Sequence, residues 1–146
     1  MSEFLGIDIK TLDNGGFQFC QTGLIQKVLE ATWMEDCNGL STPTKVEAPL
    51  GTDLNRSEAK RDCPNSYASV IGIMLYLASY TIPDISLAVH QCARFTHNTK
   101  VSHKTAVKRI CRYLLGIKEN SLVFNTSKKL VVDCYTDADF AGLWGH

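Results

Sequence analysis

The run Val70-Ile-Gly-Ile-Met-Leu-Tyr-Leu-Ala78 constrains this chain more than any other feature. It is uncharged and about half the roughly 20 residues that a membrane-spanning helix needs, so it has to be hidden inside protein. From Pro64 onward, Tyr67, Val70, Ile71, Met74, Leu75 and Ala78 recur at helical spacing and leave little polar face. This predicts a central buried helix.

Other segments have the pattern needed to surround it. Leu24, Ile25, Val28 and Leu29 predict a helix over residues 22 to 34, with Thr22 as its N-cap. Pro83 suits the first position of another, and Asp84 suits the positive end of its dipole. Ile85, Ala88, Val89, Cys92 and Phe95 form its inner stripe, with an end expected near Thr96 to Asn98. A further helix over 102 to 115 places Val107, Ile110, Cys111 and Leu114 at i, i+3, i+4 and i+7.

Both ends have strand character. Phe4-Leu-Gly-Ile-Asp-Ile9 and Gly16-Phe-Gln-Phe-Cys20 flank Asp13-Asn-Gly-Gly16, where Asn and Gly tolerate the positive φ of a hairpin turn. Leu5, Ile7 and Ile9 are expected on one face. Ser121-Leu-Val-Phe124 and Leu130-Val-Val-Asp-Cys-Tyr135, separated by a polar turn, predict a second hairpin. Residues 37 to 63 lose periodicity and gather Pro, Gly, Ser and Thr, which reads as a linker or long loop. The expected class is α+β: an N-terminal β-hairpin, about four helices and a C-terminal β-hairpin.

At 146 residues the chain is long enough for one domain with a core. Its formal charge is zero, so the average gives no support for nucleic-acid binding, and the distribution is more informative. Residues 1 to 60 carry five basic and nine acidic residues, whereas 101 to 118 carry Lys104, Lys108, Arg109, Arg112, Lys118 and no acid. Lys104, Lys108 and Arg112, at i, i+4 and i+8, form a ridge on a different side of the helix from the apolar stripe. Their spacing of about 6 Å matches successive phosphates along a strand, or a solvated helix face. His97 and His103 nearby are read as capping or packing residues.

Cys20, Cys37, Cys63, Cys92, Cys111 and Cys134 have no close pairing and no secretory signal ahead of them, which points to reduced thiols in an intracellular protein. His90 and Cys92 lack the second pair that a zinc site needs. Asp137 and Asp139, just after an apolar strand, share one face and could hold a divalent metal, although the same spacing serves turns and caps. A stand-alone metal hydrolase would need further ligands that no spacing supplies.

Taken together, several short segments resemble the copia-type retrotransposon polyprotein, in the stretch joining reverse transcriptase to ribonuclease H. They are Phe4-Leu-Gly-Ile7, Ser41-Thr-Pro43, Tyr67-Ala-Ser-Val-Ile-Gly72 with Leu75-Tyr-Leu77, Pro83-Asp-Ile85, Arg94-Phe95, His103, Lys108-Arg109 with Arg112-Tyr-Leu114, and Tyr135-Thr-Asp-Ala-Asp-Phe-Ala-Gly142. Their order and spacing run through nearly the whole chain. The resemblance implies that Phe4, Leu5 and Gly6 belong to a primer grip, and that residues 1 to 118 are primer-grip hairpin and thumb or connection. Residues 119 to 146 would begin a truncated ribonuclease H sheet.

By the same resemblance, Lys104, Lys108 and Arg112 would contact template-primer. Asp137 would be the first ribonuclease H carboxylate and a metal ligand, with Asp139 a weaker second. The cofactor implied for the complete parent is Mg²⁺ or Mn²⁺, with none bound tightly by this chain. The implied partners are an RNA–DNA hybrid or template-primer duplex, held weakly, and the rest of the polyprotein, with no membrane. The setting is cytoplasmic or nuclear, not secreted.

Two departures bear on activity. The sequence has no Tyr-x-Asp-Asp motif, so polymerase carboxylates are expected upstream of Met1 and further ribonuclease H acids beyond His146. Ile82 stands where the family usually has arginine, and Asn98-Thr-Lys100 replaces a proline-containing turn. The alternative function is a non-enzymatic retroelement remnant that serves as a protein-interaction module.

Overall fold

The computed structural model describes residues 2–44, 67–125 and 134–135. Its elements run β1 (Ser2–Phe4), β2 (Ile7–Thr11), β3 (Phe17–Cys20), α1 (Thr22–Thr32), α2 (Tyr67–Tyr80), a 3₁₀ turn (Pro83–Ile85), α3 (Ser86–Ala93), α4 (Val101–Gly116) and β4 (Leu122–Phe124). This is the expected α+β class, with four helices and one antiparallel sheet among the described residues, in the order β1-β2-β3-β4.

The apolar run does what its composition demands. In α2, Val70, Ile71, Met74, Leu77 and Ala78 are buried, and the helix packs against α1, α3 and the 3₁₀ turn. α4 completes the core by packing on α1 and α3, contributing Val107, Ile110, Cys111 and Leu114. Ile82 is buried in that core. Asp84 accepts a hydrogen bond from the Tyr113 hydroxyl (2.8 Å).

The Asp13–Gly16 turn joins β2 to β3, with Gly15 at φ 82° and the Asn14 side chain accepting the Gly16 N–H (2.9 Å). The N-terminal strand pattern is broken earlier than expected. Leu5 and Gly6 form a second turn, so Leu5 does not share a face with Ile7 and Ile9. The reason is chiral: two consecutive residues at positive φ reverse the chain between Phe4 and Ile7. Phe4 pairs with Ile7, and Ser2 with Ile9.

Other boundaries also differ. Gln21, not Thr22, precedes α1, and Thr22 Oγ1 donates to the Lys118 carbonyl (3.4 Å). Helix α1 ends at Thr32, where Trp33 turns left-handed (φ 54°). Helix α3 ends at Ala93, short of Thr96, and Pro83 opens a 3₁₀ turn that leads into it.

The described pairing of β4 is with β3, Phe17 opposite Phe124 and Phe19 opposite Leu122. Most of the second half of the expected C-terminal hairpin, residues 130–133, lies outside the described residues. At Gly16 an added Cβ would stand 2.6 Å from the Phe124 carbonyl oxygen, so the close approach of β4 requires glycine there. Phe17, Phe19 and Phe124 make an aromatic group on this sheet, the last two edge to face at 5.5 Å.

Burial sets a pH limit on the core. It pushes the Cys92 thiol from 9.0 up to about 11. It also raises the Tyr67 phenol, whose hydroxyl donates to the Cys92 carbonyl (2.9 Å). Between the unfolded and folded values only the unfolded chain has lost its proton, so stability present below about pH 9 is lost as pH rises toward 11. The denaturant midpoint is expected to fall over that interval, and less steeply in Cys92→Ala. A midpoint independent of pH up to 11 would contradict the burial argument.

Candidate nucleic-acid interface

The six candidates among the described residues fall into two groups. The first is the tip of the β1–β2 hairpin. Leu5 (φ 51°) and Gly6 (φ 74°) both lie in the left-handed region, as a two-residue turn matched to strand twist requires. Glycine adopts it freely, whereas an L-residue with a bulky side chain loses about 1–2 kcal/mol there. Leu5 does not recover that cost by packing, because it is 69% exposed and its neighbour Phe4 is 63% exposed. The Tyr76 hydroxyl donates to the Leu5 carbonyl (2.6 Å), and the Tyr76 ring lies against Tyr80, centroids 4.6 Å apart. The tip is thus fastened to α2 by its backbone while its apolar side chains face outward.

The second group is on α4. Lys108 is exposed, and Lys104 and Arg112 are half-buried. Arg112 Nε donates to the Asn38 carbonyl (2.8 Å), and the Leu40 N–H donates to the Arg112 carbonyl (3.0 Å). Gly39 lies so near Gly116 that an added Cβ would come within 3.0 Å of its Cα. Arg112 therefore fastens the loop that follows α1, in addition to any ligand contact.

Arg109, left without a role by the i, i+4 pattern, donates from Nη2 to Thr42 Oγ1 (2.8 Å). Its Nε is buried and has no partner, as is Ser102 Oγ. The sequence signal for Arg109 was its place in the Lys108-Arg109 pair.

His103 is 1% exposed, stacks on Phe95 at 4.0 Å and accepts the Lys100 N–H through Nδ1 (3.1 Å). It packs and caps, as its position beside a helix start suggested. His90 Nδ1 meets the Ser86 carbonyl at 2.8 Å on an exposed face, whereas Cys92 is buried. Asp137 and Asp139 lie outside the described residues. Among the described residues no group of three or more His, Cys, Asp or Glu side chains is placed to hold a metal. No described helix is long and apolar enough to cross a membrane.

Neither a protein-family model nor a solved structure matches the chain. Relatives do. It is 35% identical over 139 residues, 95% of its length, to an uncharacterized mitochondrial protein of Arabidopsis thaliana, of which the match covers 55%. Over the same length it is 34% identical to the retrovirus-related Pol polyprotein from transposon RE1 of that plant, covering 9% of the polyprotein. The corresponding polyprotein from transposon TNT 1-94 of Nicotiana tabacum is 34% identical over 133 residues, 84% of this chain and 9% of its own. The chain spans about half the length of the first relative and about a tenth of the polyproteins. With these identities extending across most of its length, the chain is homologous to a segment of copia-type retrotransposon Pol polyproteins.

Proposed function

We propose that this chain is the part of a copia-type Pol polyprotein that positions template-primer where reverse transcriptase meets ribonuclease H. The observation that carries this is Leu5: a left-handed leucine, exposed, on a turn held in place by Tyr76. Strain with no return in packing is explained by a contact made outside the chain. Phe4 and Leu5 supply apolar surface against sugar and base, Gly6 lets the backbone approach closely, and Lys104, Lys108 and Arg112 contact phosphates.

The bound nucleic acid is an RNA–DNA hybrid or template-primer duplex, held weakly by this chain alone, and the remaining partner is the rest of the polyprotein. Asp137, with Asp139 beside it, is assigned to a ribonuclease H metal site that only the longer parent completes, with Mg²⁺ or Mn²⁺ as its ion. This chain is assigned no catalytic step of its own. The setting is the cytoplasm or nucleus.

Leu5→Asn tests the tip. Asparagine tolerates the left-handed region and Asn-Gly is a preferred pair for such turns, so stability is expected to hold or rise by up to about 1 kcal/mol. Hybrid binding measured by fluorescence anisotropy is expected to weaken about three- to tenfold, equivalent to about 0.7–1.4 kcal/mol. Unchanged binding would remove the tip from the contact surface.

A second reading, a protein-interaction module, is favoured by Phe17, Val123 and Phe124, which remain exposed beside β4. It requires concentration-dependent association in sedimentation experiments and no affinity for the hybrid.

A further inference from the structure

The loop after α1 lies over α4 and α3 and leaves a groove of about 910 Å³, lined on the α4 side by Ser102, Thr105, Lys108, Arg109 and Arg112. Residues 102, 105, 109 and 112 follow one another at three- and four-residue steps, so a line of hydroxyls leads into a line of guanidinium groups. Asp36 is the acidic residue in the lining. Among the described residues of the lining, three cations therefore outweigh one carboxylate.

Their partners are neutral. Arg109 donates to the Thr42 hydroxyl and Arg112 to the Asn38 carbonyl, and among the described residues no carboxylate pairs with either. Arg109 Nε and Ser102 Oγ are removed from water without a hydrogen-bond partner. A guanidinium nitrogen withdrawn from water without a partner is unfavourable, and a planar fork of N–H donors matches phosphate oxygens. The remaining lining includes Leu40, Pro43 and Val101, which offer apolar surface beside the charge.

We infer that this groove is a phosphate site, with Arg109 as its anchor, Lys108 at its mouth and the Ser102 hydroxyl as a further donor. The phosphate comes from a nucleic-acid strand or from a free nucleotide. The strand form rests on the template-primer reading above and refines it, by moving the principal phosphate contact from the exposed ridge to Arg109. The groove itself does not depend on that reading.

Calorimetry on the whole chain with inorganic phosphate, thymidine 5′-monophosphate and a twelve-residue oligothymidylate tests the site. Arg109→Gln is expected to weaken binding at least tenfold. Arg109→Lys should recover only part of it, because lysine keeps the charge and loses the fork. Thr42→Val, which removes the Arg109 hydrogen bond to the loop, and Lys27→Ala, on an exposed part of α1, should stay within twofold of wild type.

If Arg109→Gln does not fold, the Nε–H resonance of Arg109 in the unaltered chain replaces it, and it should shift on adding the same probes. A resonance that none of the probes moves, or a folded Arg109→Gln that binds like wild type, would overturn the site. Strand binding that survives Arg109→Gln would overturn the groove and leave the template-primer reading standing. Binding of phosphate and mononucleotide through Arg109, with no affinity for the strand, would uphold the groove and remove that reading.

Discussion

Replacing Leu77 with alanine is expected to destabilise the chain by about 2–5 kcal/mol. Leu77 is fully buried in α2, and its carbonyl also accepts the N–H groups of Thr81 (3.1 Å) and Ile82 (2.9 Å) where the helix ends. The cavity would open at the meeting point of α1, α3 and the 3₁₀ turn, where helices on several sides limit collapse. An ordinary domain is stable by about 5–15 kcal/mol, so one side chain removes a large share. The melting temperature should fall by roughly 10 °C. Leu87→Ala, at a residue 66% exposed, should change stability by less than about 0.5 kcal/mol. Similar losses from the two would show that α2 is not the centre of the core.

The helices were legible because their apolar residues recur locally. Val70 to Ala78 left no alternative to burial, and the stripe of Val107, Ile110, Cys111 and Leu114 placed α4 to within a residue at either end. What escaped depends on distant partners or on one unfavourable dihedral angle. The turn at Leu5 was hidden because leucine gives no turn signal, and its conformation is held by Tyr76, 71 positions away. The pairing of β3 with β4 joins residues more than 100 apart, and its supporting bonds, Gln18 to Ser121 (2.7 Å) and Asn14 to Asn125 (3.2 Å), have no local signature.

The candidate site shows the same division. Helical periodicity placed Lys104, Lys108 and Arg112 on one line, but could not show that the loop after α1 would lie across its end and engage Arg112. Nor could it single out Arg109, whose Nε is buried and whose Nη2 reaches Thr42 of that loop. Asp137 and Asp139 were named from strand spacing and family resemblance, and lie outside the described residues.

The second large effect is expected in binding to an RNA–DNA hybrid. A surface that meets phosphates through Lys104, Lys108 and Arg112 releases counter-ions, and its affinity falls by about 0.9 logarithmic units per phosphate for each tenfold rise in salt on duplex DNA. Three contacts would weaken binding roughly forty-fold between 50 and 200 mM salt. Arg112→Ala would also release the loop at Asn38, so the cleaner variant is Lys104→Ala with Lys108→Ala. Its salt slope should be shallower by about 1.8, with a thermal transition close to that of the unaltered chain.

The most direct measurement is therefore fluorescence anisotropy of a labelled RNA–DNA hybrid, titrated with the whole chain and with the Lys104→Ala, Lys108→Ala variant between 50 and 200 mM salt. Weak binding that declines steeply with salt in the unaltered chain, and less steeply in the variant, is the result expected of a Pol segment that positions template-primer. No binding at 50 mM salt, or identical slopes for the two folded proteins, would contradict it.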